Sequence, residues 1–98
     1  EAKIETNGKG SKEYVLHGPL FFGSVLNFMN HFDPRNDSKD VYVDFAQTRV
    51  YDHSGIEAIN NLTGKYRKKG KTLHLRNLSK DCQLLLSNIK DNIEANVV

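Results

Sequence analysis

The hydrophobic pattern of the chain alternates between short runs typical of strands and longer stripes typical of helices. Residues 13–17 (EYVLH), 40–46 (DVYVDFA) and 72–76 (TLHLR) are rich in β-branched, aromatic and other large apolar side chains, which favours strands. A shorter strand is expected at residues 3–6, and the Asn-Gly pair in the polar segment 7–10 favours an antiparallel hairpin there. The near-continuous apolar character of 40–46 predicts a central strand that is covered on both faces.

Three apolar stripes with helical spacing predict three helices. We expect Gly18-Pro19 to end the second strand and Pro19 to begin the first helix, because proline is well tolerated at a first helical position. The second helix is expected from Ser54 to a stop at Gly70, and the third after a Ser79 cap. The stripes are Phe21, Val25, Phe28, Met29 and Phe32; Ile56, Ile59, Leu62 and Tyr66; and Cys82, Leu85, Leu86, Ile89 and Ile93.

The element order is therefore β-β-α-β-α-β-α, which predicts the α/β class. Strands that alternate with helices are joined by right-handed crossovers, so the sheet is expected to be mainly parallel with an antiparallel first hairpin. Each helix carries one apolar stripe, and the pattern leaves open whether all three cover one sheet face or divide between two.

The size and composition of the chain limit the classes of function. A chain of 98 residues is expected to form one domain with one core. Lys and Arg number 14 against 12 Asp and Glu, a balance that does not indicate a nucleic-acid partner. The single cysteine, Cys82, excludes an internal disulfide and fits a reducing compartment. No apolar run approaches the roughly 20 residues that span a bilayer, so we expect this piece alone to be soluble.

The first residue is Glu1 and the only methionine is Met29, inside a helical pattern. From this we expect the chain to be part of a longer protein.

The segment 51–58 (YDHSGIEA) places an acid, a histidine and a serine together before the second helix. Three consecutive side chains rarely converge as a catalytic triad does, so an enzyme is not expected. Helix capping is the simplest explanation: Asp52 or Ser54 can accept from a free N–H, and Glu57 lies at the capping-box distance from Ser54. The same helix start would also favour a phosphate, whether bound or attached to Ser54, so this alternative stays open.

Two motifs at this spacing resemble a known family. Residues 17–22 (HGPLFF) precede a predicted helix, and 43–45 (VDF) lead to 51–58 (YDHSGIEA). Together they resemble the STAS domain of the sulfate-permease (SulP) anion transporters, of the bacterial type, over the chain from Tyr14 to about Ile93. STAS domains also occur as free-standing anti-sigma factor antagonists, but the GPLFF segment resembles the transporter domains.

The resemblance implies a single STAS-like domain over residues 1–98, with a mixed sheet packed against helices. It implies a non-catalytic regulatory domain at the C-terminal, cytoplasmic end of a membrane transporter for sulfate, bicarbonate or similar anions, at the inner face of the plasma membrane. The alternative is a free-standing antagonist switched by phosphorylation of Ser54, the position that the antagonists phosphorylate; Asp52 and Gly55 belong to the same motif. A third possibility, nucleotide binding, lacks support from a phosphate-loop motif in these residues.

Several partners are expected from these observations: the transporter's own membrane domain, a second copy in a dimer, or a soluble regulatory protein. Phe22 lies off the main helical stripe and is a candidate docking residue. The basic residues at the end of the second helix are either a solvated helix end or a weak contact with the anionic inner leaflet. They are Lys65, Arg67, Lys68, Lys69 and Lys71. The four histidines show no paired spacing, so neither a metal nor a cofactor is expected.

Overall fold

The computed structural model describes residues 2–6, 11–89 and 96–98. These residues form a five-stranded sheet and three α-helices, with one short 3₁₀ turn. The strands are β1 (Ala2–Thr6), β2 (Lys12–Leu20), β3 (Asp40–Val50), β4 (Thr72–Arg76) and β5 (Asn96–Val97). The helices are α1 (Val25–Asn30), α2 (His53–Lys68) and α3 (Lys80–Ser87). The α/β class is confirmed, and the elements follow the predicted order as far as α3; the short strand β5 was not predicted. The Asn-Gly turn predicted within residues 7–10 lies outside the described residues.

The strands lie side by side in chain order, β1 to β5. β1 pairs antiparallel with β2, and each later neighbouring pair is parallel. The carboxyl ends of β2, β3 and β4 therefore lie at one edge of the sheet. The α2 helix starts at that edge directly after β3, and this places the 51–58 segment there.

β2 does not end at Gly18, as we predicted, but continues through Pro19 to Leu20. Its pairing with β1 stops at Leu16, so beyond that residue one side of β2 has no neighbour among the described strands. A proline has no N–H to donate and is tolerated where a strand side is unpaired. Gly18 adopts a φ of 88°, a left-handed conformation that glycine adopts without steric cost.

The first helix is consequently shorter than predicted. It begins with the 3₁₀ turn Phe22–Ser24 and continues as the six-residue α1. Phe28 and Phe32 of the predicted stripe are buried, and Val25 and Met29 pack partly against the core, but Phe21 lies before the helix and is 40% exposed.

β3 is longer than predicted and is covered on one face only. Val41, Val43 and Phe45 are buried, whereas Tyr42 and Asp44 between them remain partly exposed. The prediction of two covered faces was wrong because the apolar Tyr42 lies among polar side chains instead of under a helix. It stacks on the His74 ring at 4.4 Å, and the Arg76 guanidinium lies 4.3 Å from its ring centre.

The three helices form one layer on the buried face of the sheet, with α2 between α1 and α3. α2 contributes the largest number of buried side chains, including Ile56, Ile59 and Leu62, and ends just before Gly70, whose φ is 72°. All three helices therefore cover a single face of the sheet, which is the arrangement that the apolar stripes alone had left open.

Ser79 caps α3, as predicted, and accepts a hydrogen bond from the Cys82 N–H at 3.1 Å. Leu85 departs from the prediction, because it is 51% exposed while its neighbour Leu86 is buried. Ile93 lies outside the described residues.

Candidate functional site

Asp52 holds two backbone segments together at the start of α2. Its Oδ1 accepts from the Gly55 N–H at 3.0 Å, the geometry of an N-cap, and its Oδ2 accepts from the Phe22 N–H at 2.9 Å. Of the two candidate caps, Asp52 and Ser54, it is therefore Asp52 that caps α2. Because Phe22 begins the 3₁₀ turn, one carboxylate satisfies donors at the starts of two helical segments and fixes their relative position.

Ser24 closes the segment 19–24 on itself. Its hydroxyl accepts from the Phe21 N–H at 3.0 Å and lies 3.1 Å from the Pro19 carbonyl, to which it donates. These bonds, together with the one from Phe22 to Asp52, define the conformation of the GPLFF segment. The sequence motif is thus a specific backbone turn that presents the Phe22 side chain outward.

Ser54 lies in the first turn of α2 with intermediate exposure, and it lines a groove between α1 and α2. We call this the Phe22 groove. It has a volume of about 400 Å³ and is lined by Phe22, Val25, Leu26, Met29, Ser54, Glu57, Ala58 and Asn61. Phe22 is 78% exposed and Leu26 is 73% exposed, so the groove carries a concentrated apolar surface beside the serine.

The acid, the imidazole and the hydroxyl do not form a catalytic arrangement. The Asp52 carboxylate faces backbone N–H groups, and His53 Nε2 lies 3.0 Å from Glu57 Oε1 one helical turn further on. The predicted capping box between Ser54 and Glu57 is therefore wrong, because Glu57 turns to His53 instead of to the helix start. Both side chains of this contact are more than half exposed, so it adds little stability.

Gly55 allows α2 to approach the sheet closely. A Cβ at this position would lie 2.8 Å from Val50 Cγ1 and 3.2 Å from the Leu20 carbonyl oxygen. Those two residues pair with each other at the ends of β3 and β2, and the Tyr51 N–H donates to the same Leu20 oxygen at 2.9 Å. Gly55 is therefore needed at this position because a larger residue would not fit between α2 and the strand ends.

The predicted basic residues lie at the other end of α2. At a rise of 1.5 Å per residue, the 14 steps from Ser54 to Lys68 correspond to about 21 Å along the helix axis. Lys65, Arg67, Lys68 and Lys69 are exposed. Lys71 differs from them, because its Nζ donates to the Pro34 and Arg35 carbonyls at 2.6 and 3.0 Å.

The sequence did not reveal a buried carboxylate that joins three parts of the fold. Asp37, in the loop between α1 and β3, is 5% exposed. It accepts from Lys12 Nζ at 2.6 Å, from the Tyr14 hydroxyl at 2.7 Å and from the Tyr66 hydroxyl. The available signal was the pair of tyrosines at core positions, since a buried phenol usually needs a hydrogen-bond partner.

Burial of the Asp37 carboxyl acts to raise its pKa, but the hydrogen bonds from Lys12, Tyr66 and Tyr14 outweigh this and hold the pKa below its usual range. Burial and the neighbouring Asp37 raise the pKa of the Tyr66 phenol. The cluster therefore contains an ionised carboxylate and two neutral phenols at neutral pH. This arrangement stabilises the loop that leads into β3.

Among the described residues, no group of histidine, cysteine and acidic side chains is arranged to hold a metal ion. Within the same part of the chain, no helix combines the length and hydropathy needed to cross a bilayer.

We expect Asp52→Ala to lower the free energy of unfolding by about 1.5 kcal/mol, because both the N-cap bond and the bond to the Phe22 N–H are lost. Chemical denaturation measures this difference. The matched control is Glu57→Ala, which breaks only the exposed pair with His53 and should change stability by less than about 0.5 kcal/mol. Equal effects of the two substitutions would contradict the bridging role of Asp52.

Comparison with known proteins identifies the family. The family model described as "STAS domain" matches residues 3–91. A curated relative, "Putative sulfate transporter YbaR" of Bacillus subtilis (strain 168), is 29% identical over 86 residues. That alignment covers 86% of this chain but only 18% of the relative, so the chain spans less than a fifth of that protein's length.

Solved structures show the same fold. An anti-sigma factor antagonist STAS domain from Rhodobacter sphaeroides superposes with a TM-score of 0.71 at 28% identity, covering 76% of this chain and 83% of that chain. The STAS domain of a SulP transporter from Vibrio cholerae superposes with a TM-score of 0.67 at 19% identity, covering 94% and 75% respectively. The fold, the motif around Ser54 and the family match over residues 3–91 agree, and the chain belongs to the STAS domain family.

Proposed function

We propose that this chain is the non-catalytic, cytoplasmic regulatory domain at the C-terminal end of a SulP-type transporter for sulfate or a similar inorganic anion. The relative from Bacillus subtilis is named as a sulfate transporter, and its match includes most of this chain. The family model that matches residues 3–91 describes a STAS domain and indicates no catalytic family. The antagonist alternative is less favoured, because Phe22 of the GPLFF segment, which resembles the transporter domains, is exposed and lines an apolar groove.

The observation that carries the proposal is the Phe22 groove beside Ser54. Phe22 is held in solvent by a turn that Asp52 and Ser24 fix, and Leu26 is exposed beside it on α1. Exposed apolar patches of this kind mark sites of protein contact. We take the occupant to be an apolar segment of the transporter's own membrane domain, which would couple the state of the groove to transport.

Ser54 is the point at which this contact would be regulated. It lies in the first turn of α2, where the helix dipole favours negative charge, and it lines the groove directly. A phosphate there would add about two negative charges next to Phe22 and Leu26. Charge at an apolar interface opposes docking because it must be desolvated, so modification of Ser54 would release the bound segment.

The groove is tested in the intact transporter with Phe22→Ala/Leu26→Ala. We expect anion uptake, normalised to the amount of transporter in the membrane, to fall about fivefold or more, the usual scale of coupling between sites. The matched control is Leu84→Ala/Leu85→Ala, which removes exposed apolar side chains from α3, away from the groove. Uptake that both double variants leave at the wild-type rate, or reduce equally, would refute a role for the groove.

Ser54→Asp and Ser54→Ala complete the test, since the first adds charge and the second keeps the groove apolar. If negative charge at Ser54 releases the bound segment, uptake should be lower for Ser54→Asp than for Ser54→Ala. Wild-type uptake in both would argue against regulation at this position while leaving the groove contact intact. If the isolated chain dimerises and the groove variant dissociates it, the occupant is a second copy and the membrane-domain assignment is wrong.

A further inference from the structure

A second concave surface lies at the opposite end of α2 and is strongly basic. It has a volume of about 320 Å³ and is lined by Asp33, Pro34, Arg35, Lys65, Lys68 and Lys69. We call it the basic cleft. Four of its six lining residues are cationic, and one is acidic. Arg67, although it lies between these lysines in the sequence, does not line the cleft.

The cleft is held in shape by contacts beneath it. Lys71 donates to the carbonyl oxygens of Pro34 and Arg35, which fixes the loop against the end of α2. The buried Asp37 anchors the same loop to β2 and α2 through Tyr14 and Tyr66. Arg35 is therefore positioned opposite the lysines of α2 by the fold, and its placement does not depend on a contact of its own side chain.

The charges in the cleft are not neutralised within the described part of the chain. No carboxylate there lies within 4.0 Å of the charged atoms of Arg35, Lys65, Lys68 or Lys69, whereas Lys12 and Arg76 do form ion pairs. The only lining acid, Asp33, accepts a hydrogen bond from the Asn36 amide. The α2 carboxyl end offsets about half of one positive charge, so most of the mutual repulsion remains.

We propose that the basic cleft binds phosphate-bearing anions. A guanidinium can contact two oxygens of one phosphate, and the lysine ammonium groups supply charge around it. Carboxylates and single small anions would use less of a cleft with four cations. The shared chemistry is that of closely spaced phosphate groups, which either the headgroups of an anionic bilayer or a soluble polyphosphate can supply. The nearest lining residues of the two sites on α2, Asn61 of the Phe22 groove and Lys65 of the basic cleft, are about 6 Å apart along the helix. The two linings share no residue, and this inference does not depend on the proposed function.

The probes are inorganic tripolyphosphate, followed by calorimetry, and vesicles of phosphatidylglycerol and phosphatidylcholine in equal parts, followed by co-sedimentation. Vesicles of phosphatidylcholine alone are the blank. Binding to vesicles without tripolyphosphate binding assigns the site to lipid headgroups, and tripolyphosphate binding assigns it to a soluble ligand as well. The absence of binding to both probes at low salt would overturn the proposal.

Paired variants separate a defined cleft from diffuse surface charge. Arg35→Gln should weaken binding about fivefold, the effect of one basic residue at an anionic surface, whereas Arg67→Gln removes the same group outside the cleft and should change binding less than about twofold. Lys65→Gln/Lys68→Gln should weaken it about 25-fold, against little change for the exposed pair Lys39→Gln/Lys80→Gln. Equal weakening by the cleft and control variants would show that only overall charge matters and would overturn the site.

Discussion

Asp37→Asn is expected to lower the free energy of unfolding by about 3 kcal/mol, the largest effect of a polar substitution that we predict for this protein. The carboxylate accepts three hydrogen bonds in the core, from Lys12, Tyr14 and Tyr66. Its neutral amide replacement loses the charge that strengthens these bonds and leaves the Lys12 ammonium without its ion-pair partner. Urea denaturation at neutral pH measures the difference.

The acid dependence of this effect identifies its cause. The pKa of Asp37 is lower in the folded protein than in the unfolded chain, where it is about 3.9. Its contribution is therefore complete above about pH 4 and is lost as the pH falls through the lower, folded pKa. We expect the stability difference between wild type and Asp37→Asn to shrink on acidification below pH 4. A difference that stayed constant would show that the charge of the carboxylate is not what stabilises the loop.

Asp33→Asn is the control for this substitution. Asp33 lies in the same loop and is exposed, and its side chain accepts only a bond from the neighbouring Asn36 amide among the described residues. Its replacement should change stability by less than about 0.5 kcal/mol. A loss equal to that of Asp37→Asn would mean that any charge change in the loop is harmful.

Gly55→Ala is expected to lower the free energy of unfolding by about 2 kcal/mol, although alanine is the better helix former. The added methyl group would lie 2.8 Å from Val50 Cγ1, on a β-branched side chain with few alternative rotamers, and 3.2 Å from the Leu20 carbonyl oxygen. To relieve this overlap, α2 must move away from the ends of β2 and β3. Overpacking of this kind costs more than the gain of up to about 1 kcal/mol in helix propensity.

Ser54→Ala is the matched control, since it changes the adjacent, partly exposed residue without adding an atom to the contact with the sheet. Thermal or chemical denaturation should show little change for it. An increase in stability for Gly55→Ala would contradict the close approach. The control also establishes that the Ser54→Ala variant used in the uptake experiment reports on regulation and not on folding.

The two substitutions act on different ends of α2 and therefore on different proposed sites. Gly55 and Asp52 position the helix start that carries Ser54 and faces the Phe22 groove. Asp37 and Lys71 fix the loop that completes the basic cleft. Loss of the Asp37 contacts should weaken anion binding at the cleft without altering the Phe22 groove.

The sequence by itself determined the order of the elements from β1 to α3, because hydrophobic periodicity is a local property; the two-residue β5 is too short to give such a signal. The strand at Thr72–Arg76 coincides with its prediction, and the starts of α2 and α3 lie within one residue of theirs. Capping residues are also local signals, which is why Ser79 could be named in advance as a cap and Asp52 as one of two candidates. The motif around Ser54 further indicated the family, which the comparison then established.

Only the tertiary structure decided features that depend on residues distant in the chain. Pro19 lies in a strand because, among the described strands, β1 pairs with β2 only as far as Leu16, so that side of β2 has no neighbour at Pro19. Tyr42 is half-exposed because the helices all pack on the opposite face. No local rule states where a neighbouring strand stops or which face a helix will cover.

The candidate sites also combine residues that could be selected from the sequence with contacts that only the fold creates. The sequence placed Ser54 and the basic residues at opposite ends of the second helix, but only the fold brought Phe22 beside Ser54 in one groove. Asp37 looked like an ordinary loop acid, since its partners are 23 to 29 residues away along the chain. Arg35 likewise joins the basic cleft only because Lys71 holds its loop in place. Long-range hydrogen bonds and charge contacts depend on the three-dimensional meeting of segments, and a one-dimensional pattern does not encode them.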